Sequence, residues 1–448
     1  MKLKTILPLM ALPVFGMAQP AVKLITLDPG HFHAALIQKS MYPQVDPTVH
    51  VYAEESRDLK LHMERIAGYN SRSAEPTSWN EQVYTGKDFF QRMIAEKKGN
   101  VVVLAGNNRL KTDYIAQSVG QGFHVFADKP MAIDTKGFDQ LKKAFATASK
   151  KKVLLYDIMT ERYEITTMLQ RAFSMQPELF GTLEKGTPED PSVTKISVHH
   201  FYKYVSGSVL TRPSWFFDAS QQGAGIVDVT THLVDLIQWE CFPEQIIDYK
   251  KNIKILNAKS WATPVSATDF TTVTKEPVPD YLKAISDASG NIQVNCNGEF
   301  TYSINGVHAK VSVIWNYKAP EGTGDTHYSL MRGSNASLII RQGKTENFKP
   351  TLFIEARNGD AGFEQKLQTA LANVSKDFPG ISLVKQANGW MIAVPEKYND
   401  GHEAHFAQVT KKYLGFLQNN NMPAWEVPNM IAKYYTTTSA KEMADKKQ

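Results

Sequence analysis

Cysteine is scarce: two in 448 residues, Cys241 and Cys296. A chain of this size cannot be held by one or two thiols, so a disulfide framework is excluded. Two buried thiols or a single long-range bridge both stay open. Blocks of like charge are also missing. Lys and Arg number 50 against 45 Asp and Glu, a net charge of +5. That balance carries no basic patch, and nucleic acid is not expected as a partner. The C-terminal lysines Lys441, Lys446 and Lys447 make only a short tail. Long apolar runs are absent as well. The longest, residues 6–15, is too short to span a bilayer as a helix, so no membrane span is expected. No internal repeat and no low-complexity tract is present.

What is there begins at the N-terminus. Lys2 and Lys4 precede the apolar run, and Gly16-Met17-Ala18 follows it. A charged start, a short apolar middle and a small-residue site read as a secretory signal peptide, residues 1–18, cleaved after Ala18. No cysteine follows the run, which argues against a lipoprotein anchor. Loss of Lys2 and Lys4 lowers the net charge from +5 to +3. An exported mature protein, periplasmic in a bacterium, is expected.

Residues 19–160 alternate short apolar runs with helix-like segments. The runs are 22–27, 49–53, 101–105, 124–127 and 153–156, and the helices 34–39, 87–97, 112–119 and 135–148. Apolar strands alternating with helices predict a Rossmann-like, doubly wound parallel sheet. From 161 to 448 the grammar changes. A helix over 165–175 leads into period-2 strands at 193–205, 292–295, 300–304, 309–315, 337–340 and 352–356. Helices interrupt them at 225–239 and 403–417. This half reads as an α+β domain with a large, mostly antiparallel open sheet, which binds substrate and offers a face for a homo-oligomer.

The strand at 123–127 stops at Asp128-Lys129-Pro130. Proline ends the ladder and leaves a carboxylate and an ammonium at the C-terminal edge of the parallel sheet, where such sheets bind ligands. The first strand runs into the turn Asp28-Pro29-Gly30-His31-Phe32-His33. A dinucleotide fingerprint needs glycine at its first, third and sixth positions. Only Gly30 matches; Asp28 and His33 hold the other two. Glycine and the helix start, at His31 and Phe32, could still meet a pyrophosphate. Glu54, ending the second strand, is placed to bind a ribose hydroxyl or to be merely solvated; an acid there favours NAD over NADP. Asn107, after the third run, offers an amide to the nucleotide or simply makes a turn.

A second constellation, Gly223-Ala224-Gly225 followed by Asp228, His232 and Asp235, has i, i+4, i+7 spacing and so one helical face. Two acids and a histidine suit a site wall, because imidazole exchanges protons near neutral pH. Polar clusters at Asp325-Thr326-His327 and His402-Glu403-Ala404-His405 could wall a polyhydroxylated ligand. The latter fits no standard zinc spacing, and no metal is expected.

Together these segments resemble the Gfo/Idh/MocA family of nicotinamide-dependent oxidoreductases. Asp128-Lys129-Pro130 is similar to its Glu-Lys-Pro signature, with Asp for Glu. Gln222 through His232 is similar to its Gly-Gly-Gly-x-x-x-Asp-x-x-x-His signature, loosely in the glycines and fully at Asp228 and His232. The long second half looks like the extension of an exported subgroup. The resemblance implies NAD, or less readily NADP, held by Gly30, His31, Phe32, Glu54, Asn107, Asp128 and Lys129. It implies catalysis by Lys129, His232 and Asp228 on a hydroxyl or keto carbon of a sugar, glycoside or cyclitol. Lys129, Asp228, His232 and Arg162 would contact that substrate, with Lys203, Tyr202 and Trp215 as further candidates. Redox-neutral cleavage of a glycoside stays open, as does a carbohydrate-binding protein that has lost the cofactor.

Overall fold

The structure, a computed structural model, describes residues 22–205, 208–357 and 362–447. The expected signal segment lies outside the described residues. The first sheet is built from β1 (Leu24–Leu27), β2 (Thr48–Ala53), β3 (Asn80–Thr85), β4 (Val101–Leu104), β5 (His124–Asp128) and β6 (Leu155–Ile158). All pairs are parallel, in the order β3-β2-β1-β4-β5-β6. The order reverses between β1 and β4, which places the turns after those strands at a topological switch point. The strands β1 and β4 are buried throughout because helices cover both faces. Helix Arg57–Ser71 starts where the Ser56 hydroxyl accepts from Leu59 N–H, and helix Thr135–Lys151 where the Asp134 carboxylate accepts from Gly137 N–H.

Two elements of this half escape the hydrophobic pattern. The strand β3 is polar, Asn-Glu-Gln-Val-Tyr-Thr, because it is an edge with little to bury. Helix Arg57–Ser71 buries only Leu59, His62 and Ile66, so its apolar stripe is thin.

The second sheet holds nine strands. They are β7 (Val193–Tyr202), β10 (Ile253–Val265), β11 (Ile292–Ile304), β12 (Val307–Lys318), β13 (Thr326–Arg332), β14 (Ala336–Arg341), β15 (Thr351–Ala356), β16 (Ser382–Gln386) and β17 (Gly389–Ala393). A short ribbon, β8 (Tyr204–Val205) and β9 (Ser208–Val209), stands apart. Only β7–β12 is parallel; the other pairs are antiparallel. One face packs on helices Ile165–Ser174 and Thr230–Cys241 around Phe173, Val234, Val311 and Leu338. The long edge strand β10 follows no clear alternation in sequence, because it bulges twice against β11.

The last two helices return to the first sheet. Phe406, Val409, Tyr413, Leu414, Met430 and Tyr434, from helices His402–Asn419 and Glu426–Asp445, lie in the same core as β1, β4 and β5. Both cysteines are free, and burial pushes the Cys296 thiol up to about 12.

Candidate functional site

The turn after β1 is folded back on its own sheet. Gly30 N–H and His31 N–H both donate to the Ala105 carbonyl, at 3.2 and 3.0 Å. A methyl group on Gly30 would stand 3.1 Å from both Trp215 Cζ2 and Asp58 Oδ2. The indole N–H of Trp215 donates to that carboxylate at 2.7 Å. Glycine here makes room for a tryptophan of the second domain, and the cavity left at the turn is about 10 Å³. Asp28 sits at φ 48°, and its carboxyl is pushed up to about 6 by burial and then by Asp58 and Glu54. Glu54 is exposed at the end of β2. Asn107, which was expected to face a nucleotide, instead donates to Gln221 Oε1 at 2.8 Å, and its own oxygen accepts from Arg109 N–H. The residues present do not fit a pyrophosphate in this turn as folded: the Gly30 and His31 N–H groups are spent on Ala105, the glycine is covered by Trp215, and the Asp28 and Asp58 carboxylates stand beside it, with Arg65 and Arg212 on the far wall.

Lys129 and Asp228 do meet. Lys129 Nζ donates to Asp228 Oδ1 at 2.6 Å, and Gln222 Nε2 donates to Asp228 Oδ2 at 3.0 Å. The helix expected from residue 225 begins at Thr230, so Asp228 lies in the turn before it. The glycine at 225 serves packing, since a Cβ would lie 1.7 Å from the Cys296 carbonyl oxygen. The single face expected for Asp228, His232 and Asp235 is split three ways: Asp228 turns to Lys129, His232 to the cavity, Asp235 into the core. The Asp235 carboxylate accepts from Arg162 at 2.6 and 2.7 Å and from Lys433 at 2.7 Å. Arg162 also reaches Glu426, so its guanidinium is held in a buried ion network and not presented to a ligand. That corrects its expected role as a sugar contact.

A cavity of about 830 Å³ opens where the second sheet faces helix His402–Asn419. Its walls include Phe32, Glu161, His199, Lys203, His232 and Asp325. The clusters read from sequence, His327 and His402 to His405, line it too. His232 Nδ1, His327 Nε2 and His405 Nδ1 are buried and have no hydrogen-bond partner among the described residues. Burial holds these imidazoles below their usual range, to about 3 for His327; at His232 the charge of Lys129 adds to it. Asp325 resists burial: the charges of His199 and Lys203, 3.2 and 2.9 Å away, hold its carboxyl well below the usual range. Glu161 is pushed up to about 7 by burial and then by Glu164. Sequence reading settled on Arg162 and missed Glu161, one residue earlier. Tyr202 stands beside Lys318, whose ammonium lies 5.0 Å from its ring centre.

Asp128, the last residue of β5, accepts from His33 Nδ1 at 2.9 Å, with His31 Nδ1 at 3.7 Å. Buried Lys111 donates to its carbonyl at 3.1 Å, and burial lowers that ammonium to about 8.

Residues 46–156 match the family described as "Oxidoreductase family, NAD-binding Rossmann fold", and residues 169–445 match "Putative oxidoreductase C terminal domain". The first match begins beyond the altered turn. No protein of curated function matches. Among solved structures, a "putative oxidoreductase" from Parabacteroides merdae ATCC 43184 is 54% identical over 96% of this chain and 99% of its own, with a TM-score of 0.94. A levoglucosan dehydrogenase in complex with NADH and levoglucosan is 12% identical over 95% and 98%, with a TM-score of 0.58. A "putative myo-inositol dehydrogenase" from Sinorhizobium meliloti 1021 is 14% identical over 96% and 98%, with a TM-score of 0.53. At that identity the last two show the fold alone. The N-terminal half is thus an NAD-binding Rossmann fold, and the chain belongs to the Gfo/Idh/MocA family of oxidoreductases.

Proposed function

We propose that this protein is an oxidoreductase-family enzyme that takes a sugar, glycoside or cyclitol into the 830 Å³ cavity and moves a proton at a hydroxyl- or keto-bearing carbon. The observation that carries this reading is His232. It lines the cavity, burial keeps its imidazole neutral, and its Nδ1 has no partner among the described residues. A neutral imidazole can take a hydroxyl proton at pH 7. The Lys129 ammonium, held by Asp228 and through it by Gln222, would stabilise the negative charge that develops on the oxygen. Lys203, Asp325 and the cavity histidines offer donors and acceptors suited to a ligand rich in hydroxyls. A levoglucosan dehydrogenase and a "putative myo-inositol dehydrogenase" share the fold, and the polyol reading itself rests on the cavity lining.

NAD(P) is the hydride carrier that the fold implies, and Glu54 supports NAD over NADP. The turn does not fit a pyrophosphate as folded, so no step is routed through the dinucleotide here. Redox-neutral cleavage of a glycoside would need, besides this transfer, removal of a C–H proton beside the transient ketone and protonation of the departing aglycone. The covered turn favours a second reading, a carbohydrate-binding protein that keeps the fold without the cofactor. Lys2, Lys4, the apolar run and Gly16-Met17-Ala18 support export with cleavage after Ala18, which N-terminal sequencing of the secreted chain would check. The open face of the nine-stranded sheet, with Ile196, Val198, Ile314 and Leu330 half-buried, supports a homo-oligomer.

The deciding experiment is to denature the purified protein and assay the supernatant for nicotinamide dinucleotide by mass spectrometry. Stoichiometric NAD would show that Trp215 and Asp58 move aside and would support a dehydrogenase. No dinucleotide, with sugar binding but no turnover, would put the binding protein first. Turnover that survives Lys129→Ala would sink the proposed chemistry.

A further inference from the structure

We propose that His31, His33 and Asp128 bind a divalent transition-metal ion at the switch point of the parallel sheet, beside the ligand cavity. The topology makes the site. The histidines come from the turn after β1, and Asp128 ends β5; both strands flank β4. After β4 the chain continues as Ala105-Gly106, which has almost no side chain to fill the gap. The three groups therefore close over the end of that strand.

The distances are close to those that a metal needs. His33 Nδ1 lies 2.9 Å and His31 Nδ1 3.7 Å from Asp128 Oδ2, and each residue offers a donor atom within 4.8 Å of the other two. A tetrahedral ion with bonds of about 2.0–2.1 Å holds its ligand atoms roughly 3.3 Å apart. Both histidine-to-Asp128 distances lie within about half an ångström of that spacing. The side chains are 12%, 9% and 5% exposed, so the site is shielded yet not sealed.

The donor set is informative. Two imidazoles and one carboxylate hold catalytic zinc or non-haem iron with coordination positions left open. The site also lies against the cavity. Phe32, between the two histidines, lines it, and the ring of His402, another wall residue, stands 5.9 Å from that of His33. Lys129 follows Asp128 directly, and its ammonium is already neutralised by Asp228. Neither histidine is explained by a dinucleotide: His33 stands where the fingerprint has glycine, and His31 N–H is spent on Ala105. Without metal, His33 and Asp128 share a hydrogen bond. Binding an ion through His33 Nδ1 would break that hydrogen bond and put the ring's N–H on Nε2.

The test is independent of any carbohydrate or dinucleotide, so its failure is distinct from failure of the proposed function. Tag-free, full-length mature protein is stripped with chelator and titrated in turn with Zn²⁺, Mn²⁺, Fe²⁺ and Co²⁺. Metal content after dialysis and the absorption spectrum of the Co²⁺ form are recorded. We expect one ion per chain for at least one metal, a rise in Tm with metal, and a ligand-field spectrum with Co²⁺. His33→Ala and His31→Gln should each weaken binding about 100-fold or more, while His402→Gln should leave it within a few-fold. Using two separate histidine variants guards against one that misfolds. Absence of a stoichiometric ion with all four metals would overturn the site, as would unchanged binding in folded His33→Ala and His31→Gln.

Discussion

Around the C-terminal helix, Arg162, Lys433 and Lys412 face Asp235, Asp157 and Glu426, three cations against three carboxylates, and each has an opposite charge within 3.3 Å. Across helix Thr230–Cys241 the cavity is the reverse. Its histidines range from buried His405 to exposed His402, yet a buried ring nitrogen on each of His232, His327 and His405 has no partner among the described residues. Two buried polar regions thus share one helix and differ in satisfaction. A completed network resists removal of any member and adds rigidity. An incomplete one costs stability until something binds. His232 and Asp235, three residues apart, fall on opposite sides of that divide.

Breaking the completed network should have the largest effect on the fold. Lys433→Met leaves buried Asp157 without a cation and Asp235 with Arg162 alone, and should cost about 3–5 kcal/mol in urea unfolding. The mirror experiment, His232→Gln, should lower turnover about 10²–10⁴-fold and move Tm little, because the imidazole satisfies no protein group through Nδ1. Equal loss of stability in both variants would erase the contrast.

Asp28 sharpens it further, as a half-buried acid without a cation. Its folded value, about 6, lies above the ordinary 3.8, so its charge opposes folding at neutral pH. That penalty is complete above pH 6 and fades as pH falls toward 3.8. Asp28→Asn should therefore stabilise the protein at pH 8 by about 2 kcal/mol and by little at pH 4, read from Tm at both pH values. Asparagine also tolerates the positive φ. The smallest effect is expected at Arg57–Glu276, an ion pair about one-third exposed that joins the two halves near the covered turn. Arg57→Gln should cost about 0.2–1 kcal/mol and less in high salt.

Much of this was legible beforehand. The runs at 101–105 and 124–127 gave strands because both faces of a parallel sheet are covered, and such strands are apolar without alternation. Lys129 and Asp228 were each legible as site residues from separate signatures, but their pairing with each other, 99 residues apart, was not. Polar β3, thin-striped helix Arg57–Ser71 and bulged β10 were not legible, because each buries too little, or too irregularly, to imprint a period.

What the sequence by itself determined is the family, the parallel and antiparallel character of its two sheets, and which residue types stand at the strand ends, because these rest on local pattern and short motifs. What only the tertiary structure decided is the use made of them. Nothing in the spacing of Asp228, His232 and Asp235 says that they face three different environments. Nothing near Gly30 announces that Trp215, some 185 residues later, covers it. Whether a buried polar atom is structural or available depends on which distant groups reach it, and that is settled by packing in three dimensions.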